Sequence, residues 1–162
     1  MKINSILLFL MFTKSFSFNN FVKKKTNRII LNSHFSKINT EFKERDILIR
    51  SLLEINDHLI YSEIPSLVKG YNGEKVLADI VIKQENGIDI GFALKGDNYE
   101  MVTDLQFWDQ KLPVEVFLEK ISQRYAVNSV IDTCKKEGFM TNSIKNDLKT
   151  GCIEIEVSKY NF

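Results

Sequence analysis

The most regular alternation of apolar and polar residues lies in the middle of the chain. Two strand-like segments, Asp79–Gln84 and Ile88–Leu94, flank the dipeptide Asn86-Gly87, which suits the positive φ angles of a tight hairpin turn. A second turn, Lys95–Asn98, leads into a third strand-like segment, Tyr99–Leu105. The pattern therefore predicts an antiparallel meander of three strands.

The two faces of this meander differ in composition. Because side chains two residues apart lie on the same face of a strand, one face is strongly apolar and carries Ile88, Ile90, Phe92 and Leu94. The opposite face is smaller and more polar, with Lys83, Asp89, Gly91 and Ala93. We expect the apolar face to pack against helices and the polar face to meet water.

Two segments have the 3.6-residue periodicity of amphipathic helices. Arg45–Ile55 places apolar residues on one stripe and is followed by the helix-ending pair Asn56-Asp57. A second helix is predicted to begin at Pro113, which suits a first helical position, and to end near Gly138, which suits the position after a helix. Its apolar stripe consists of Phe117, Ile121, Tyr125, Val127, Val130, Ile131 and Cys134.

Shorter patterns complete the predicted fold. Strands are expected within His34–Phe42 and His58–Ile64, and a final hairpin is expected from Phe139–Ile144 and Cys152–Ser158. The predicted fold class is α+β, with a single antiparallel β-sheet, the three-stranded meander at its centre and both helices packed on one face.

The N-terminus is predicted to be a targeting leader. The apolar run Ile6–Phe12 has the length of a signal-peptide core and is too short to span a bilayer. Residues 19–32 are basic, polar and free of acidic residues, as transit peptides are. We predict a bipartite leader over residues 1–32, removed or disordered, and a single globular domain over residues 33–162.

This leader predicts import into the stroma of a complex plastid, with cleavage near residues 16–18. The secretory pathway is the alternative destination, because a plain signal peptide followed by a basic spacer has the same composition. An apolar N-terminal strand is a further interpretation of the same residues.

Charge and composition exclude several classes of protein. The formal charge of +1 conceals six basic and no acidic residues before Ser33, so the remaining 16 basic and 21 acidic residues give a charge of −5. An acidic domain lacks the basic face that neutralises nucleic-acid phosphates. The two histidines and two cysteines lack close metal-ligand spacing. We expect no metal, cofactor or nucleic acid, and no membrane association after leader removal.

Six blocks of the chain resemble one known family. In order they are Ser33–Ser36, Val68–Tyr71, Val81–Gln84 with Asn86-Gly87, Asp89–Phe92, Asp104–Trp108 and Ile121–Ala126. Their order and spacing resemble the hypothetical chloroplast reading frame thirty-five (Ycf35-like) family, a domain of unknown function encoded in plastid and cyanobacterial genomes. The resemblance spans Ser33 to about Gly138, agrees with a plastid location and implies no activity, cofactor or catalytic residue.

Four residues are the candidates for binding a partner: Gln106, Trp108, Gln123 and Arg124. Tryptophan and arginine are enriched at interface hot spots because they bury a large area and keep directional donors. The alternative is that Trp108 caps the core and that Arg124 pairs with an acidic neighbour, Glu119 or Asp104.

Other polar residues have structural interpretations. The carboxylates Asp89, Glu100, Asp104 and Asp109 are expected to form a solvated face, although such a set is able to bind a metal or transfer protons. The segment Gly70–Gly73 is interpreted as a tight turn rather than a phosphate-binding loop. Cys134 is expected on the buried stripe of the second helix, and Cys152 is expected to face solvent.

We predict from these observations an uncharacterised plastid protein that is non-catalytic and acts as a protein-binding or assembly accessory module. Its partner would bind at the sheet edge or at the surface from Trp108 to Arg124. The alternative is a small-ligand-binding protein or enzyme, with a pocket between sheet and helices that contains His34, Tyr71 and Arg124.

Overall fold

The structure is a computed structural model that describes residues 3–11, 35–55, 60–62, 64–70, 73–147 and 151–160. The chain divides into a central unit, residues 18–122, and a terminal unit, residues 1–17 with 123–162. The strands are β1 (Ile3–Met11), β2 (Ser36–Asn39), β3 (Ser66–Lys69), β4 (Lys75–Ala78), β5 (Ile80–Ile82), β6 (Ile90–Lys95), β7 (Asn98–Thr103), β8 (Met140–Asp147) and β9 (Cys152–Tyr160). The helices are α1 (Arg45–Ile55) and α2 (Val114–Lys136), with a 3₁₀ turn at Leu105–Phe107.

The central unit contains an antiparallel sheet of four strands in the order β2-β7-β6-β5. In its register Phe92 pairs with Ile80 on one side and with Met101 on the other, and all three side chains are fully buried. The predicted three-stranded meander is therefore confirmed as β5, β6 and β7. Its two turns contain Gly87 and Gly96, whose φ angles of 78° and 64° favour glycine.

A bent hairpin joins this sheet to a smaller one. At the sheet edge, the N–H of Ser62 donates to the carbonyl of Val81 at 3.0 Å, and Tyr61 bridges Ile82. Farther along the same two segments, β3 and β4 pair with each other as a separate two-stranded sheet. The hairpin therefore begins on the large sheet and then leaves it.

Side chains on both arms hold this bend. On the first arm, the hydroxyls of Ser62 and Ser66 donate to the carbonyl of Ile64 at 2.7 Å and 3.0 Å. On the second arm, the N–H of Asp79 donates to the carbonyl of Phe92 at 2.9 Å, and its carboxylate accepts the N–H of Leu94 at 2.7 Å. These bonds satisfy backbone groups at the point where the regular ladder stops.

The hairpin crosses the sheet at Gly91. A Cβ atom at this position would lie 2.3 Å from Cγ2 of Val68 and 2.9 Å from Cβ of Ala78. Val68, Ala78 and Val81 form a buried cluster against which Ala93 also packs. The expectation that this face of the meander meets water is wrong, because the hairpin covers it.

Helix α1 has the predicted bounds, Arg45–Ile55. Its buried residues follow helical spacing on one stripe: Ile47, Leu48, Ser51 and Leu52. The helix follows Phe42, which is buried and whose ring centroid lies 6.4 Å from that of Phe92. Phe92 belongs to the sheet face opposite Gly91, because successive strand residues alternate between faces.

The terminal unit contains the predicted final hairpin, β8 and β9, and the second half of α2. Val127 and Cys134 of the helix form one buried cluster with Ile153, Ile155 and Val157 of β9. The helix ends as predicted near Gly138, whose φ is 79°. The N–H of Gly138 donates to the carbonyl of Lys135, and that of Phe139 to the carbonyl of Cys134, which is the Schellman pattern of bonds.

Strand β1 pairs antiparallel with β9 along nine residues, from Ile3 opposite Tyr160 to Met11 opposite Cys152. The apolar run Ile6–Phe12 is predicted first as a signal-peptide core and alternatively as an N-terminal strand. The structure describes its residues up to Met11 as part of a strand. The bipartite leader and a division of the chain at residue 32 stay predictions, since residues 12–34 lie outside the described part of the chain.

The predicted α+β class is confirmed, and the predicted single sheet is wrong. The described residues form sheets of four, three and two strands. The bends near Ile64 and Asp79 separate β3 and β4 from the meander, and β9 pairs with β1 and β8. The second half of α2 packs against β9 of the three-stranded sheet.

Candidate functional site

The outward side of β3 and β4 exposes a pair of leucines. Leu67 and Leu77 lie directly opposite each other in the register, and they are 48% and 62% exposed. Val68 and Ala78, whose side chains have the opposite orientation, are buried against the large sheet. A hairpin fixed on one side by packing therefore presents apolar side chains to solvent on the other.

Two lysines lie beside these leucines. Lys69 and Lys75 are also directly opposite each other, and both are exposed. Among the described residues neither ammonium group has an ion-pair partner. We call the surface formed by Leu67, Lys69, Lys75 and Leu77 the hairpin face.

A buried carboxylate holds the hairpin face in place. The carboxylate of Asp89 accepts the N–H of Lys69 at 3.0 Å, and the N–H of Asp89 donates to the carbonyl of Lys69 at 2.8 Å. The same carboxylate, 2% exposed, accepts a bond from the ammonium group of Lys83 at 2.9 Å. Asp89 therefore neutralises Lys83 and fixes the backbone, but not the ammonium group, of Lys69.

The expectation that four carboxylates form a solvated face is wrong for three of them. Asp89, Glu100 and Asp104 are buried, whereas Asp109 is exposed. Glu100 pairs with Lys95 at 2.8 Å, and Asp104 accepts the N–H of Gln106 at 3.1 Å. Alternation did not predict this burial because it takes no account of the lysine partners that stabilise the buried carboxylates of Asp89 and Glu100.

A second polar cluster joins the β5–β6 turn to the segment that precedes α2. The buried amide of Gln84 donates to the carbonyl of Ile88 at 2.5 Å and accepts from Asp109 N–H and Gln110 Nε2, each at 3.0 Å. The amide of Asn86 donates to the carbonyl of Phe107 at 2.8 Å. We call this network the loop cluster, and its bonds fix the conformation of residues 104–112.

Trp108 anchors the same segment. Its indole N–H donates to the carbonyl of Leu112 at 2.7 Å. Its ring lies edge-on to Phe117 of α2, with centroids 5.2 Å apart. The half-buried tryptophan therefore contributes to the fold, as the core-capping alternative supposes, and its role toward a partner stays a prediction.

The other predicted partner-binding residues lie in both units. Gln106 is exposed in the central unit, next to Trp108. Gln123 is half-buried and Arg124 is exposed, and both lie on α2 in the terminal unit. That these four residues form one partner-binding surface therefore stays a prediction.

A groove of about 630 Å³ follows the outer side of α1 in the central unit. Its lining combines two guanidinium groups, two carboxylates, two aliphatic side chains and a phenol: Arg45, Asp46, Ile49, Arg50, Leu53, Glu54 and Tyr61. Arg124, predicted for a ligand pocket, does not line this groove. His34 and Tyr71, the other residues of that predicted pocket, lie outside the described residues.

Both cysteines are buried, and neither forms a disulfide. The prediction for Cys134 is confirmed, and the expectation that Cys152 faces solvent is wrong. Desolvation raises the pKa of the Cys152 thiol, and the nearby carboxylates of Asp147 and Glu154 raise it further. A raised pKa lowers the thiolate fraction and therefore the reactivity of this cysteine at neutral pH.

Comparison with known proteins identifies the family. The family model described as "Protein of unknown function (DUF1257)" matches residues 57–155. The chain belongs to this family. No match was found among solved structures.

Curated relatives in the family carry the name "Uncharacterized protein ycf35". The relative from Guillardia theta is 47% identical over 108 residues, which cover 66% of this chain and 82% of the relative. Those from Pyropia yezoensis and Cyanophora paradoxa are 37% and 31% identical over 130 residues, which cover 80% of this chain and 99% of each relative. The resemblance to the Ycf35-like family is thereby confirmed, and the ycf35 name associates the family with plastids.

The part of the chain that matches the DUF1257 family contains both the hairpin face and the loop cluster. Four of the blocks that carry the sequence resemblance contain Lys69 of the hairpin face, Gln84 of the loop cluster, and Asp89 and Trp108, which bond to the same segments. Sequence analysis missed the hairpin face. A signal was available in the mirrored tripeptides Leu67-Val68-Lys69 and Lys75-Val76-Leu77, which surround a glycine-containing turn.

The described residues form neither a cluster of metal ligands nor a membrane-spanning helix. No three histidine, cysteine, aspartate or glutamate side chains gather there as metal ligands would. No helix in the described part of the chain is long and apolar enough to cross a membrane.

Proposed function

We propose that the protein is a non-catalytic protein-binding module of the plastid, located in the stroma after removal of its leader, and that the hairpin face is the surface that binds. The observation that carries this proposal is the exposed Leu67–Leu77 pair on a hairpin whose other side is packed. Apolar side chains held rigidly toward solvent are typical of interaction sites. Rigidity lowers the entropy lost on association.

The buried polar groups support the same proposal. Asp89 and Glu100 each bind a lysine, and the amide of Gln84 bonds to three partners in its own chain. The bonds of Asp89 with Lys83 and of Gln84 with Ile88 lie within the β5–β6 connection, whereas Glu100 joins β7 to β6 and Gln84 also joins this connection to residues 109 and 110. Their arrangement favours a scaffold that positions a surface.

The groove along α1 is the feature that supports the alternative function, binding of a small ligand. Its charged residues are spaced four apart, with Asp46 before Arg50 and Arg50 before Glu54. Opposite charges at this spacing lie side by side on a helix and interact with one another. The lining carries as many acidic as basic groups, so we prefer the hairpin face as the functional surface.

Affinity capture from plastid extract tests the proposal. We expect the full chain to recover a partner protein, and the double variant Leu67→Ser, Leu77→Ser to lose about tenfold or more of that recovery, because hot-spot truncations cost 2 kcal/mol or more. Ile144→Ser is the matched control, since Ile144 is 49% exposed on β8 of the terminal unit. The thermal midpoints of all variants serve as folding controls.

The surface proposed from sequence, with Gln106, Trp108, Gln123 and Arg124, is tested in the same capture. Arg124→Ala is the informative variant, because Trp108 also serves the fold. Undiminished capture by the leucine double variant would overturn the hairpin face as the binding surface. Loss of capture in Arg124→Ala alone would assign binding to the sequence-proposed surface instead.

A further inference from the structure

We propose that the partner presents an acidic and apolar polypeptide segment to the hairpin face, its carboxylates meeting Lys69 and Lys75 while its apolar side chains cover Leu67 and Leu77. This inference rests on the proposed function and names the class of partner.

The charge of the hairpin face carries the argument. Lys69 and Lys75 are directly opposite each other in an antiparallel pair, an arrangement that destabilises a sheet when the charges are alike. Within the described residues, neither ammonium group forms an ion pair with a carboxylate. A partner carboxylate placed between the two ammonium groups would relieve this repulsion.

Two buried carboxylates of the central unit, Asp89 and Glu100, are bonded to other lysines. Asp89 is bonded to Lys83 and to the backbone of Lys69. Glu100 is bonded to Lys95. The hairpin face thus carries a local pair of positive charges, although the chain from Ser33 onward is acidic as a whole. A local basic site on a generally acidic protein attracts acidic partners at that position, and the rest of its surface repels them.

The geometry limits the pattern of the partner segment. Residues two apart on a strand lie on the same face, roughly 6.5 Å from each other. The hairpin face thus places a lysine row beside a leucine row at this distance. An extended segment matches it when acidic and apolar residues alternate along one of its own faces.

The test uses three synthetic peptides of equal length. In each peptide, every second residue is serine, so that one face of the extended chain is all serine. On the other face, leucine alternates with a residue that differs among the three peptides. The variable residue is glutamate, its neutral isostere glutamine, or lysine. Binding to the full chain is measured by fluorescence anisotropy at low and high ionic strength, and vesicles of phosphatidylglycerol form a fourth arm.

We expect the glutamate peptide to bind most tightly. Replacing both lysines, in Lys69→Gln with Lys75→Gln, should weaken its binding about 2- to 30-fold, since two exposed ion pairs are lost and each contributes roughly 0.2–1 kcal/mol. High salt should have a similar effect on the parent protein, because it screens exposed charges. The glutamine peptide should show neither response.

A charge reversal separates binding from folding. Lys75→Glu places a carboxylate directly opposite Lys69, which replaces a repulsive pair with an attractive one. We expect this variant to have a higher thermal midpoint than the parent and yet to bind the glutamate peptide more weakly. A merely misfolded variant would lose both properties.

The outcomes distinguish this inference from the proposed function. If the glutamate and glutamine peptides bind equally well and the leucine double variant binds neither, the acidic partner is overturned. The hairpin face would remain the binding surface. The acidic partner would also be overturned if the lysine peptide bound most tightly. The same holds if binding that depends on Lys69 and Lys75 were found only with the vesicles. Binding that responds to neither the leucines nor the lysines would overturn both proposals.

Discussion

Replacing Ile121 by alanine is expected to lower the free energy of unfolding by about 2–5 kcal/mol, as truncations of fully buried aliphatic side chains do. Ile121 is 0% exposed, and Phe117 and Leu118 on the same part of α2 are also buried. The loss combines the transfer free energy of the removed methyl and methylene groups with the cavity they leave. Denaturant unfolding of the full chain measures it, with an unchanged m value confirming that only stability has altered.

Val116→Ala is the matched control on the same helix. Val116 is 36% exposed, so its truncation should change the free energy of unfolding by no more than about 0.5 kcal/mol. A change of less than about 0.5 kcal/mol in Ile121→Ala would place Ile121 in solvent and contradict the described packing of α2 in the central unit.

Gly91→Ala is expected to destabilise the protein by about 1–3 kcal/mol, although it adds a single methyl group. The new Cβ would lie 2.3 Å from Cγ2 of Val68 and 2.9 Å from Cβ of Ala78. Both neighbours belong to a buried cluster, so neither can move into solvent. The backbone φ of Gly91 lies outside the left-handed region, so the cost comes from packing.

A double-mutant cycle isolates this clash. In Gly91→Ala with Val68→Ala, the nearest contacting methyl group is absent, and we expect the combined loss to be smaller than the sum of the two single losses. Strict additivity, or a stable single variant, would show that the hairpin does not cross the sheet at Gly91.

The elements of the fold that depend on local sequence were predicted well. The bounds of α1 and the end of α2 follow from apolar periodicity and from Gly138. The meander follows from alternation and from two turns that contain glycine. In each case neighbouring residues along the chain contain the information, so a pattern of a few residues is sufficient.

The division into several sheets was not predicted, because it depends on bends that alternation does not encode. The bend near Ile64 is held by two serine hydroxyls and the bend at Asp79 by a carboxylate. Pro65 indicates only that a strand ends at the first bend, and Asp79 was predicted as the first residue of a continuous strand. The covered face of the meander was missed for the same reason: Gly91 lacks a side chain because a distant segment packs there.

The candidate site was predicted only in part. Trp108 was selected for its residue type, and the structure adds that its ring and indole N–H also serve the loop cluster. The hairpin face was missed because Leu67 and Leu77 lie in short strands that were not predicted. Their exposure depends on which side of the hairpin meets the large sheet, and the packing of Val68 and Ala78 decides this.

Site-specific photocrosslinking tests the central claim most directly. The full chain carrying p-benzoylphenylalanine in place of Leu77 is irradiated in plastid extract, and the crosslinked peptide is sequenced by mass spectrometry. The same probe in place of Ile144 is the control, since both positions are exposed on strands. We predict a protein adduct at position 77, within an acidic and apolar segment, and none at position 144. Equal adducts at both positions, or an adduct at 144 alone, would contradict the hairpin face as the binding surface.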